Sequence, residues 1–364
     1  MKYIFILLSI ALIACSQNTA KTEIVTEEDA ASDTLRFPQE KHLKNLKQLT
    51  FGGDNAEAYF SFAGDKLVFQ AKNPEWDAPC DQIYVMGIDE SWQEGRPQLL
   101  STGKGRTTCS YFMPGDSTII YASTHEGDEN CPPEPPRTGK YVWPVYSDFE
   151  IYTADLEGNI VQKLTDREGY DAEATVSPTG DKIVFTSTRT GDLELFTMNI
   201  DGSNINQVTT ELGYDGGAFF SPDGTKLIFR SSRPKTEEDI KEYKDLLAQK
   251  LVQPTNMELY VCNVDGSDMQ KITDLGQANW APFFHPSGEK IIFCSNHHST
   301  EGGRPQFNLF MINLDGSGLE QITYDGVFDS FPMFSPDGTK LVFSSNRNNG
   351  GGRATNMFIA DWVE

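Results

Sequence analysis

Six positions stand at one fixed distance ahead of a recurring turn, and five of them are acidic or amide side chains: Asn55, Thr107, Asp171, Asp215, Asn279 and Asp329. Two residues further on come Glu57, Cys109, Glu173, Gly217, Ala281 and Phe331. Carboxylates and amides brought together from separate segments can bind a cation, hold a basic group of a peptide, or hydrogen-bond a sugar. The structural alternative is a water-filled channel whose inner strands need a polar lining. Trp280, beside Asn279, and Trp143 join Asn55, Glu57, Asp171, Glu173, Asp215, Asn279 and Asp329 as the expected contact set. His125, His297 and His298 are weak candidates for a transition-metal site. They lack helical or short spacing and read as solvated loop residues, so neither metal nor cofactor is expected.

What positions these residues is a repeat. Residues 170–209 contain four short apolar runs, rich in β-branched and aromatic types and separated by Gly, Pro and Asp, which is the pattern of strands. Copies align on the turns at Ser61, Met113, Ser177, Ser221, His285 and Ser335, with SPDGTKLIF and SPDGTKLVF the nearest pair. The bare unit is about 44 residues, as in four-stranded propeller blades. The expected fold is all-β: a six-bladed β-propeller of four-stranded antiparallel blades over residues 43–364. The chain ends at the third strand of the last repeat, while a spare fourth strand, Leu46-Lys47-Gln48-Leu49-Thr50, precedes the first. That N-terminal strand should complete the last blade and remove the open edge.

The residue one before each turn is Phe60, Phe112, Val176, Phe220, Phe284 or Phe334, which must be core between blades. Asp-Gly pairs such as Asp201-Gly202 and Asp265-Gly266 suit tight hairpins rather than calcium loops. Length varies at the opposite end, in the loops 121–152, 229–260 and, less so, 293–310; long insertions on one face of a rigid ring mark the working face. The first insertion is Pro-rich and then aromatic (Tyr141, Trp143, Tyr146). It is either a contact surface or a cover over a blade edge. The second has a capping-box start at Thr236 and an apolar stripe through Ile240, Tyr243, Leu246, Leu247 and Leu251. The third repeat has no extension, so Asp171 and Glu173 should stand at a gap in the loop wall. Cys262 and Cys294 fall inside strands; Cys80, Cys109 and Cys131 map to the insertion face, and a Cys80–Cys131 disulfide joining two long loops is expected.

Residues 1–14 have a basic start and an apolar run too short to span a bilayer, and they read as the leader, a lipoprotein signal peptide for export. The sequence Leu12-Ile13-Ala14-Cys15 resembles the lipobox of bacterial lipoproteins, which implies lipidation at Cys15. Residues 15–42 are polar and acidic and read as a flexible tether. The net charge of −23 argues against nucleic acid, which needs a basic stripe.

The S-P-D-G-x-K-[LI]-[VI]-F core, followed by Ser-Ser-Arg or Ser-Asn-Arg and then an x-D-G-S turn, resembles the propeller repeat of the TolB family over some 320 residues. The resemblance implies a six-bladed ring whose channel mouth docks a protein, with Asp171, Asp215, Asn279 and Asp329 at that mouth. The separate α/β domain that precedes the TolB propeller is expected to have no counterpart. The chain reads as a lipid-anchored, monomeric envelope protein, on the periplasmic side of the outer membrane or at the cell surface. It is expected to engage a protein or peptide partner. A lyase or glycosidase using acidic or metal-binding groups at the same mouth is the alternative, although no G-x-S-x-G elbow occurs.

Overall fold

The computed structural model describes residues 34–135, 139–299, 306–326 and 328–364. The leader and Cys15 lie outside the described residues, as does most of the expected tether.

Six four-stranded antiparallel sheets surround one axis. Their innermost strands are Asp54–Phe60, Thr107–Phe112, Asp171–Val176, Asp215–Phe220, Asn279–Phe284 and Asp329–Phe334, and we number the blades in that order. The second and third strands of every blade hold one aromatic pair in register. The pairs are Phe69–Tyr84, Tyr121–Tyr152, Phe185–Phe196, Phe229–Tyr260, Phe293–Phe310 and Phe343–Phe358. Their ring centroids are 5.9–6.3 Å apart. Such pairs add about 0.5–1.5 kcal/mol each beyond their burial. The residue preceding each turn, from Phe60 to Phe334, is buried between neighbouring blades.

A hydroxyl fastens the fourth strand of each blade to the third. Thr50, Ser101, Thr165, Thr209, Thr273 and Thr323 each accept, at 2.9 Å, from the backbone N–H of Met357, Ile83, Ile151, Leu195, Leu259 and Leu309 respectively. The Asp-Gly corners are turns: Asp201, Asp265 and Asp315 accept from the N–H of Ser203, Ser267 and Ser317.

Ring closure uses the N-terminal strand Leu43–Gln48, paired with the chain's last strand from Leu43↔Trp362 to Gln48↔Phe358. The packed body begins before residue 43, however. Glu40 is fully buried and meets Arg347 through both carboxylate oxygens at 3.0 and 3.1 Å.

The two long insertions meet. Trp143–Pro144 from blade 2 pairs antiparallel with Leu251–Val252 from blade 4, next to the helix Glu237–Ala248. Thr236 and Asp239 form the capping box, but the helix stops before Leu251, at a left-handed Lys250 (φ 59°). Tyr243 of this helix donates to Asp192 of blade 3. The gap expected over blade 3 is therefore roofed by its neighbours' insertions. Asp171 and Glu173 lie buried beneath it.

Candidate functional site at the channel mouth

The positions six before each turn are built into the blades. Asp171, Asp215 and Asp329 have no exposed surface. Each meets an arginine eighteen residues on: Arg189 at 3.1 Å, Arg233 at 2.6 and 3.0 Å, and Arg347 at 3.1 Å. The hairpin register explains that spacing, because Asp171, Asp215 and Asp329 pair with Ser187, Ser231 and Ser345, two residues ahead of each arginine. Every arginine then lies over aromatic rings of its own blade, as Arg189 does over Phe185 and Phe196 at 4.9 and 4.8 Å. Asn279 donates to the Met257 carbonyl at 2.8 Å and accepts from Ser295; Asn55 donates to the Gly52 carbonyl at 2.7 Å. These groups tie strand to strand, and their burial removes them from the surface offered to a partner. The Ser-Ser-Arg and Ser-Asn-Arg of the repeat signature held the missing half of this lock.

The histidines fall into the same slot. His125 and His297 occupy the arginine position of blades 2 and 5, bonded to Ser123 and Ser295 at 2.9 Å and packed on Tyr152 and Phe310. His298 bonds to Asn308. Among the described residues, no group of three or more His, Cys, Asp or Glu is placed to hold a metal ion.

Four before each turn, every inner strand breaks register. Glu57, Cys109, Glu173, Gly217, Ala281 and Phe331 all have φ between 46° and 60°. The ladder slips by one residue there, as between Ala56 and Tyr59 or Ala172 and Thr175. This is a β-bulge repeated in all six blades, and it re-aims the bulged side chain toward the axis. Two residues deeper, Tyr59, Tyr111, Phe219 and Phe283 meet across the ring, with centroids 5.2–6.3 Å apart. Tyr59 of blade 1 touches Phe219 of blade 4, so these rings floor the channel and make it a well.

Two carboxylates face that well, in different states. Glu173 is saturated: it accepts from the Tyr170 hydroxyl at 3.1 Å, Thr186 at 3.3 Å and Arg230 at 3.0 Å, and also from the Tyr214 hydroxyl and the Gly217 N–H. Glu57 has the Tyr59 hydroxyl at 3.5 Å and the Cys109 thiol, and no ion pair among the described residues. It keeps some surface open to the channel, yet the side chains crowded around it leave it poorly hydrated. Burial pushes its carboxyl up to about 7, against the pull of Cys109 and Arg230. Burial, with Glu57 and Glu173 adding to it, also holds the Cys109 thiol well above its usual range.

Trp143 from the roof covers the well. It lies 5.3 Å over Arg230 and edge-on to Tyr214. From it a shelf of rings runs along the mouth: Tyr141, Trp143, Trp280, Phe307 and Phe328. Trp280 is buried in this stack and donates to the Pro254 carbonyl, whereas Tyr141 is 60% exposed. Of the expected contact set, Glu57 and Trp143 retain open surface, and Tyr141 is added to them. The Cys80–Cys131 disulfide is present, with a Cα–Cα distance of 5.9 Å; Cys109 is free.

Fold and site define a class: a closed six-bladed propeller with a floored, part-roofed axial well. The family model described as the TolB beta propeller domain matches residues 145–247 and 242–359, more than half of the sequence, and the chain belongs to that family. A solved structure described as TolB from Agrobacterium tumefaciens superposes with a TM-score of 0.56 at 18% identity, covering 86% of this chain and 91% of that one. TolB from Acinetobacter baumannii gives 0.55 at 18% identity, over 84% of this chain and 65% of the other. An oligogalacturonate lyase from Vibrio parahaemolyticus shares the fold at a TM-score of 0.50 and 13% identity, over 88% and 93%. An uncharacterized protein of Agrobacterium fabrum is 26% identical over 147 residues, which span 40% of this chain and 28% of that protein.

Proposed function

We propose that this chain is a binding protein of the bacterial cell envelope, anchored through lipid on Cys15, which engages a protein or peptide at the roofed mouth of its propeller. The observation that carries the reading is the aromatic shelf. Tyr141 stands 60% exposed at its head, with Trp143 and Arg230 behind it. Tyr and Trp at the rim of a concave site, with an arginine beneath them, are residue types that dominate protein recognition energetics. The TolB propeller family and the lipobox at Leu12-Ile13-Ala14-Cys15 support an envelope setting. Among the described residues no helix is long and apolar enough to cross a membrane, which is consistent with anchoring from the N-terminus.

A photo-crosslinking side chain at Tyr141 in intact cells tests this. The expected result is one captured protein, lost on Trp143→Ala. Capture of no protein, with a sugar retained in the purified mouth, overturns it in favour of a carbohydrate-active role. Fatty-acid labelling that persists after Cys15→Ser refutes the anchor.

A further inference from the structure

The well contains one carboxyl that has no ion-pair partner among the described residues. The three aspartate locks are closed by arginines, and Glu173 is held by five donors. Glu57 is aimed at the axis by its left-handed backbone (φ 55°), two residues above Tyr59 of the floor. It meets no cation within ion-pair distance among the described residues. The groups facing it come from several blades: Cys109, Glu173 and Arg230 beside it, Asp81 farther off, and Tyr59 and Tyr111 below. The Arg230 charge is already neutralised by Glu173 at 3.0 Å. What remains is one carboxyl without an ion-pair partner, at the bottom of a shaft that has the rings of Trp143 and Tyr214 above it. A cation on a long apolar stem is the complement of such a shaft: the stem packs on rings, and the head meets the carboxylate.

We propose that Glu57 anchors the partner by receiving the ammonium group of a lysine side chain inserted down the axial well. This rests on the protein-partner reading above and names the chemistry of its contact. Lysine suits the shaft because a chain's own amino terminus has no comparable stem. The ionised carboxylate is the binding form, so affinity rises as pH passes through about 7.

The probe is the blocked peptide acetyl-Gly-Lys-Gly-amide, titrated calorimetrically into the lipid-free chain. Its norleucine counterpart and unblocked Gly-Gly-Gly-amide serve as comparisons. The lysine peptide is expected to bind at least tenfold more tightly than either, and about tenfold more tightly at pH 8 than at pH 6. Glu57→Gln should abolish the difference between lysine and norleucine while melting within a few degrees of wild type. Glu57→Asp, which keeps the charge and tolerates the left-handed backbone, should retain most of the binding. Asp274→Asn, at an exposed carboxylate, should change nothing. Equal binding of lysine and norleucine overturns the inference, as does equal binding of Gly-Gly-Gly-amide. So does undiminished lysine binding by Glu57→Gln. If Tyr141 captures the same protein from wild type and Glu57→Gln in equal yield, the partner reading stands and the role of Glu57 falls. If the lysine peptide binds through Glu57 while Tyr141 captures nothing, the role of Glu57 stands without that reading.

Discussion

Glu194 opens the third strand of blade 3 and is buried against the Asp215–Arg233 lock of blade 4. Burial, with Asp215 and Asp192 adding to it, pushes its carboxyl up to about 8, against the pull of Thr209 and Arg233. A folded-state value raised above the unfolded one means that the folded chain holds this proton more tightly. The resulting stabilisation is complete below the unfolded value of 4.5 and is lost as pH rises through about 8. One unit is worth about 1.4 kcal/mol, so an undamped rise of this size would be worth about 5 kcal/mol. Asp215 and Glu194 share the field of one arginine, which reduces the expected effect to about 2 kcal/mol. Glu194→Gln mimics the protonated acid and can still accept from Thr209. Urea unfolding at pH 5, 7 and 9 is the assay. The variant should match wild type at pH 5 and exceed it by about 2 kcal/mol at pH 9. A difference constant within about 0.5 kcal/mol across that range refutes the reasoning. So does a variant that loses more stability than wild type on going alkaline.

Four further outcomes follow from the same structure. Glu40→Ala leaves the buried Arg347 with Asp329 as its one direct ion pair among the described residues and should cost about 3 kcal/mol, read as a lowered melting temperature; a chain starting at residue 52 should show no cooperative transition. Phe219→Ala removes the ring that touches Tyr59, Tyr111 and Phe283 and should cost about 3 kcal/mol while deepening the well, which a larger soaked amine would reveal by crystallography. Reducing Cys80–Cys131, which links residues 51 apart, should lower stability by about 2–4 kcal/mol in denaturant, and Cys80→Ser should reproduce the loss without reductant.

The propeller is legible because each blade states it again: turn residues at fixed offsets, apolar runs between them, and one spare strand at the start to match one missing at the end. A single blade would not have carried that argument. The mouth is legible only in part. Asp171 and Arg189 stand eighteen residues apart in sequence and meet only through the hairpin register, so the acidic ring reads as free when it is locked. Likewise His125 and His297 resemble ligands until they are seen in the arginine slot. The roof gave little warning. Trp143–Pro144 and Leu251–Val252 are two-residue strands in unrelated insertions, with no repeat to align them, and short strands carry almost no periodic signal. The bulge is hidden for another reason. Its residues are Glu, Cys, Glu, Gly, Ala and Phe, five of which disfavour the left-handed region they adopt, so no residue preference marks the site.

That indifference to residue type separates shape from chemistry. Each blade offers the axis one backbone socket, and the ladder on either side of it holds the socket open whatever side chain it carries. At blade 4 the occupant matters to the fitting itself, since a Cβ at Gly217 would overlap the Arg230 guanidinium. At blade 3 it matters as well, because Glu173 is the ion-pair partner of that guanidinium, whereas the remaining four sockets carry acid, thiol, methyl and ring on one backbone shape. A ring of this kind is a rack of interchangeable positions: side chains at four known places can be changed while the backbone around them keeps its shape.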